Sequence, residues 1–173
     1  GGTIRVESEL GHGSEFRFTI ACGDAEDLKD ASASEEAQRA DASFADECPL
    51  SILIVEDNEL VRSFLSATFT KLGYHPMEAN SGSRALAIVE RQRFDVIFMD
   101  IRMPNLDGFE TAEMLLEKYE LADQPPPYIA AITATVTGEI EQRCAELGIP
   151  ALLAKPIELE DIYATLKTAC AAK

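Results

Sequence analysis

The chain has 173 residues, room for one domain of ordinary size plus an appendage, and 46% of them are hydrophobic, enough to build a core. A formal net charge of −16 argues against direct binding to nucleic acid or to an anionic membrane surface, since both need clustered Lys and Arg. It suits a metal cation or a basic protein surface instead. The cysteines (Cys22, Cys48, Cys144, Cys170) form no CxxC pair and none stands in zinc-type spacing with a His. They read as small core or surface residues of a protein in a reducing compartment. No apolar run reaches the ~18 residues of a membrane span and no signal-peptide pattern is visible. The first residue is Gly1 rather than Met, so the chain reads as a piece of something longer.

Residues 3–8 and 15–20 alternate. Ile4 and Val6 share one face of the first run, and Phe16, Phe18 and Ile20 share one face of the second. The turn residues Leu10-Gly11-His12-Gly13-Ser14 lie between them, which predicts a hairpin. A lone hairpin is marginal in water, so its apolar face needs a partner that the segment does not contain. Residues 23–47 carry nine acids against Lys29 and Arg39, with Leu28 and Phe44 as the large apolar residues. Such a stretch buries too little surface to offset chain entropy, and residues 23–48 are expected to be a flexible, self-repelling linker.

From Pro49 the pattern becomes alternating strands and helices. Strands are predicted at Ser51–Val55, His75–Ala79, Phe94–Met99, Tyr128–Ile132 and Ala151–Leu153. Helices are predicted at Glu59–Leu72, at 82–90 behind a Ser81 cap, after a capping box at Asp107 and Glu110, at Gly138–Leu147 and at Glu158–Ala169. Five strands alternating with five helices imply right-handed crossovers and a flavodoxin-like, doubly wound α/β fold of strand order 2-1-3-4-5. Ligands in such sheets bind at the carboxyl ends of the strands, at the switch point between strands one and three.

The residues expected at that edge carry chemistry. Strand one runs into Glu56 and Asp57, and strand three ends on Asp100. Three carboxylates at one place repel unless a cation neutralises them, and an all-oxygen set suits Mg²⁺. Strand four ends on Thr133, a hydroxyl donor, and strand five leads into Lys155-Pro156. A cis bond before Pro156 would be one way to aim the ammonium inward. Carboxylates, Mg²⁺, a hydroxyl and an ammonium together fit phosphoryl transfer to Asp100 by positioning and electrostatics.

Two resemblances extend this reading. Residues 49–173 resemble a response-regulator receiver domain, carried by Ile52-Leu53-Ile54-Val55-Glu56-Asp57-Asn58, Met99-Asp100-Ile101-Arg102-Met103-Pro104-Asn105-Leu106-Asp107-Gly108, Ile132-Thr133-Ala134 and Leu153-Ala154-Lys155-Pro156. The resemblance implies Asp100 as phosphoacceptor, with Thr133 and Lys155 as its catalytic partners. It implies Mg²⁺ held by Glu56, Asp57, Asp100 and the backbone carbonyl of Arg102, and a cis bond at Pro156. Thr133 would be the switch hydroxyl. Leu152 stands where the family often has a switching Tyr or Phe, which puts that half of the switch in doubt. Residues 1–22, with the run Gly1-Gly2-Thr3-Ile4-Arg5-Val6-Glu7-Ser8 and then Gly11-His12-Gly13-Ser14, resemble the last hairpin of a histidine-kinase ATP-binding domain.

Together these imply a fragment of a hybrid sensor histidine kinase in a two-component phosphorelay. Its partners would be the kinase's own dimerisation and phosphoacceptor domain and a histidine phosphotransfer protein. The fragment itself would be no kinase, since the ATP-site residues would lie upstream, yet it would catalyse its own aspartyl phosphorylation. It would be cytoplasmic, in a parent whose membrane anchor would also lie upstream. A standalone receiver signalling by protein contact is the alternative. A flavin or nucleotide module is disfavoured because Glu56-Asp57-Asn58 replaces a phosphate-binding loop. An aspartyl phosphohydrolase is disfavoured because Arg102 stands where such enzymes carry a second acid. His12 and His75 are not expected to donate phosphate.

Overall fold

The computed structural model describes residues 2–9, 13–19 and 44–173. The chain divides into two compact units, one holding the N-terminal hairpin and the other beginning ahead of residue 44. In the first, β1 (Ile4–Glu9) and β2 (Gly13–Phe18) pair antiparallel, with Ile4 opposite Phe18 and Val6 opposite Phe16. Directly opposed residues project to the same side, so these four form one apolar face. That face is solvent-exposed, with Phe16 at 65% and Phe18 at 67%. Hydroxyl pairs between Thr3 and Thr19 (3.0 Å) and between Ser8 and Ser14 (2.8 Å) link the two strands. The predicted turn at 10–12, Ile20, Cys22 and linker residues 23–43 lie outside the described residues.

In the second unit, strands β3 (Ile52–Val55), β4 (Met77–Ala79), β5 (Val96–Asp100), β6 (Tyr128–Thr133) and β7 (Ala151–Ala154) form a parallel sheet of order β4-β3-β5-β6-β7. This is the expected 2-1-3-4-5 order. Helices α2 (Glu59–Lys71), α3 (Gly82–Val89), α4 (Gly108–Leu121), α5 (Gly138–Glu146) and α6 (Leu159–Ala171) follow the five strands in turn. β3 and β5 are buried along their whole length because helices cover both faces.

The period of two sends alternate residues into two cores. Leu53, Val55, Ile97, Met99 and Ala131 meet Ala85, Val89, Ala112 and Leu115 on one face. Ile52, Ile54, Val96, Phe98 and Ile132 meet Leu65, Phe69, Ile162 and Leu166 on the other. The Phe69 and Phe98 rings lie 4.8 Å apart across the helix–sheet boundary.

The helix ends follow local chemistry. Asn58 caps α2 by accepting from the Leu60 and Val61 amides, and Ser81 caps α3. The Asp107–Glu110 capping box forms in both directions, at 2.8 and 3.1 Å. Gly73 and Gly148 take positive φ (88° and 66°) just past α2 and α5, where a side chain would be strained. No helix among the described residues is long and apolar enough to cross a membrane.

Two features differ from the sequence reading. Residues Phe44–Glu47, placed within the expected linker, form a single turn of helix, α1. Phe44 sits edge-on to Tyr74 and Tyr163, with ring centroids 6.4 and 5.3 Å apart. The Tyr74 hydroxyl donates to the Cys48 carbonyl at 2.7 Å, and burial pushes its pKa up to about 12. The Ala45 amide donates to the Leu72 carbonyl (3.1 Å).

The second difference is a correction. Cys48 and Cys170, read as separate thiols, form a disulfide across 122 residues, while Cys144 remains a buried free thiol. Pairing at that separation follows from the three-dimensional fold and leaves no trace in local spacing. Closing so long a loop restricts the unfolded chain, and reduction is expected to cost about 2–4 kcal/mol. Thermal unfolding with and without reductant checks this, and Cys170→Ser should remove the reductant dependence. An unchanged melting temperature on reduction would contradict the pairing.

Candidate functional site at the switch point

Asp100 is the last residue of β5 and is 4% exposed. Its Oδ1 accepts from the Arg102 amide (3.0 Å) and its Oδ2 accepts from the Lys155 ammonium (2.7 Å). Register places Val55 beside Met99, so the next residue, Glu56, enters the site next to Asp100. Glu56 is fully buried. Its amide donates to the Ala79 carbonyl (3.0 Å), its Oε1 accepts from the Asn58 amide (3.2 Å), and its Oε2 accepts from Lys155 (2.7 Å). Asp57, exposed, completes a group whose ligand oxygens all lie within 4.8 Å of one another.

Lys155 therefore bridges the two buried acids from the end of β7. Its own amide donates to the Thr133 carbonyl (2.7 Å), which fixes the start of the Lys155 loop against the end of β6. The Lys155–Pro156 bond is cis. Burial alone would lower the lysine's pKa, but hydrogen bonds and charge from Asp100 and Glu56 outweigh it and hold the pKa above the ordinary value. Glu56 is pushed the other way. Burial first, and the neighbouring Asp100 charge, raise its pKa against the lowering by Lys155.

One ammonium against three carboxylates leaves the cluster short of positive charge. Hard oxygen donors with one solvent-facing member fit a small divalent cation that keeps part of its water, as Mg²⁺ does. Removing the ammonium should show how far the fold depends on it. Lys155→Met leaves two buried acids without their shared partner, and the expected loss is about 3 kcal/mol. Urea unfolding in chelator at neutral pH measures it. A variant as stable as the parent would mean that the ion pairs are solvated.

Thr133 is fully buried at the end of β6. Its hydroxyl donates to the Thr135 carbonyl (3.0 Å) and accepts from the Thr135 amide (3.3 Å), so its proton is engaged in its own loop. Leu152 pairs in register with Ala131 and packs partly buried on the α3–α4–α5 side of the sheet. Arg102 is exposed, and its amide holds Asp100. His75 is exposed beyond α2, and His12 lies outside the described residues.

Two further residues support the site: Gly108, which closes the loop motif quoted from the sequence, and Arg62, which was not singled out from sequence. Gly108 opens α4 with its amide donating to the Ile101 carbonyl (2.9 Å), directly behind Asp100. Arg62, in the first turns of α2, donates to the Glu56 carbonyl at 2.8 Å. The signal for Arg62 was its place one turn beyond the acid pair on a helix capped by Asn58.

The order of the sheet and the acids at its switch point define a doubly wound α/β fold with an acidic carboxyl edge. Residues 52–167 match the family described as the response regulator receiver domain, and the chain belongs to that family. Among curated proteins it is 32% identical over 126 residues to sensor histidine kinase RcsC of Escherichia coli K12, covering 73% of this chain and 13% of that protein. It is 32% identical over 170 residues to the aerobic respiration control sensor protein ArcB of the same strain, covering 96% of this chain and 20% of that protein. It thus spans a small part of these relatives.

Among solved structures, chemotaxis protein CheY4 of Vibrio cholerae superposes with a TM-score of 0.62 at 30% identity, covering 69% of this chain and 97% of that one. The receiver domain of the Arabidopsis thaliana histidine kinase CKI1, solved with Mg²⁺, gives 0.63 at 25% identity, covering 75% and 96%.

Proposed function

We propose that this domain accepts a phosphoryl group on Asp100 in a two-component phosphorelay, as a receiver of a hybrid sensor histidine kinase. The observation that carries the reading is the Lys155 ammonium 2.7 Å from both Asp100 and Glu56, at the carboxyl edge of the sheet. A buried carboxylate with a fixed cation beside it is a preorganised acceptor for a negatively charged group. An oxygen of Asp100 attacks phosphorus while the bond to the donor imidazole nitrogen breaks, and the imidazole keeps the electron pair. Glu56, Asp57, Asp100 and the Arg102 carbonyl would hold Mg²⁺, which when bound offsets the charge of the phosphoryl oxygens.

Lys155 then exchanges its Asp100 contact for a phosphoryl oxygen. Thr133 turns its hydroxyl from Thr135 to another, so any relay of the bound state begins in the Thr133–Thr135 loop. With Leu152 on β7 that relay proceeds without an aromatic swing at this position. The donor is the histidine of the kinase's dimerisation domain, and onward transfer goes to a histidine phosphotransfer protein. The alignment with ArcB over 96% of this chain and the hairpin's resemblance to the end of a kinase ATP-binding domain support the hybrid context. CKI1's bound Mg²⁺ supports the cofactor.

Acetyl phosphate as donor tests the reading. With Mg²⁺ the chain should gain one phosphoryl group by intact mass, acid-stable and alkali-labile, and chelator should suppress it. No labelling, or labelling indifferent to chelator, would sink the proposal.

A further inference from the structure

We infer that Arg62 is a positioning residue for the cation site, setting the backbone from which Glu56 and Asp57 project. The inference rests on the proposed reading of those acids as metal ligands. Helical side chains lean toward the helix start, and Arg62 reaches back over the first turn of α2 to the acid loop. Its Nη1 donates to the Glu56 carbonyl (2.8 Å) and, more weakly, to the Asp57 carbonyl (3.4 Å). Its Nε faces Glu78 on β4 (3.4 Å). The other oxygen of Glu78 accepts from Ser66, one turn further along α2, at 2.6 Å. The Arg62 side chain is 16% exposed.

The grip matters because of where the sheet stops. The Glu56 amide still bonds to the Ala79 carbonyl beside β3, but Asp57 lies one residue beyond. The Glu56 carboxylate is held by Lys155 and the Asn58 amide. Asp57 is exposed, and its aim depends on the peptide units to either side. Arg62 donates to the carbonyls of both. A planar guanidinium can hold two carbonyls and a carboxylate at fixed angles, which a lysine ammonium does not reproduce. Glu78, itself pinned by Ser66, fixes the guanidinium from behind.

Two other roles for Arg62 predict different outcomes. A cation near a cation site repels by charge, so on charge alone Arg62→Met should tighten metal binding and Arg62→Lys should leave it unchanged. If Arg62 merely ties α2 to β4, both variants should lose stability without changing metal affinity. Positioning predicts that both weaken the metal. Partners that orient metal ligands commonly change affinity by tenfold or more, and about tenfold weakening is expected here.

The test is Mn²⁺ titration of the full chain, read by the electron paramagnetic resonance signal of free Mn²⁺, with Mg²⁺ as competitor. The parent should bind one Mn²⁺, and Arg62→Met and Arg62→Lys should each bind about tenfold more weakly. Labelling by acetyl phosphate should need more Mg²⁺ in both variants yet reach the parent rate at saturation. Urea unfolding separates this from global destabilisation, and Arg62→Lys carries the test if Arg62→Met does not fold. Unchanged or tighter Mn²⁺ binding in the folded variants would overturn the inference while leaving the site intact. Failure of the parent itself to bind Mn²⁺ would overturn the metal-site reading and this inference with it.

Discussion

Asp100→Asn is expected to abolish phosphoryl labelling while leaving the fold intact. The amide has nearly the shape of the carboxylate, and its Oδ1 can still accept from the Arg102 amide that holds Asp100 at 3.0 Å. Lys155 keeps Glu56 as partner at 2.7 Å, so the ammonium is not stranded. One of two adjacent buried acids is removed, and although burial is the main cause of the raised Glu56 pKa, the repulsion from Asp100 that adds to it is relieved. Stability in chelator should therefore hold or rise. What is lost is the anionic oxygen that attacks phosphorus, for which an amide is no substitute. Intact-mass analysis after acetyl phosphate and Mg²⁺, beside urea unfolding of the same sample, checks both halves. Labelling that persists in a folded variant would move the acceptor away from Asp100.

Gly108→Ala is expected to be strongly destabilising. A Cβ at this position would fall well inside contact distance of the Asp100 carbonyl oxygen and the Ile101 Cα. Both obstacles are backbone and cannot rotate away, so α4 must retreat or the end of β5 must bend. Overpacking of this kind costs about 3 kcal/mol. Because the displaced carbonyl belongs to Asp100, the labelling rate should fall together with stability. Gly138, at the start of α5, offers a matched control, since nothing lies within 4 Å of a Cβ there. Gly138→Ala should be neutral or stabilising by a few tenths of a kcal/mol, roughly. Urea unfolding of the pair decides it, and equal stabilities would mean that the β5–α4 junction is looser than its geometry.

The two sequence signals that predicted the sheet were those that burial enforces. The runs predicted at Ser51–Val55 and Phe94–Met99 had to be covered on both faces, and the helices between the strands supplied the covers over β3 and β5. From that pattern the switch point followed, and with it the meeting of Glu56, Asp57, Asp100 and Lys155. The capping box at Asp107 and Glu110 was legible because its chemistry is local.

Contacts set by the tertiary fold were not legible. Cys48 and Cys170 are far apart in sequence, and nothing near either names the other. Phe44 looked like a stray aromatic in an acidic stretch until Tyr74 and Tyr163 were brought around it. Arg62 drew no reading from sequence, since its carbonyl acceptors depend on how the chain turns from β3 into α2. The present engagement of the Thr133 hydroxyl with Thr135 is likewise a matter of loop conformation rather than residue type.

The Cys48–Cys170 bond also has a mechanical meaning. Cys48 lies just ahead of β3, and Cys170 lies in the last turn of α6. Every strand of the parallel sheet falls between them in the chain. A pulling force applied outside these two residues would pass through the covalent bond and bypass the sheet, leaving the strands under Asp100 without load. With the bond reduced, the same pull would fall on the hydrogen bonds and packing of β3 and α6. The domain is thus rigid to stretching from its ends in one redox state and compliant in the other, and single-molecule extension would read the difference directly.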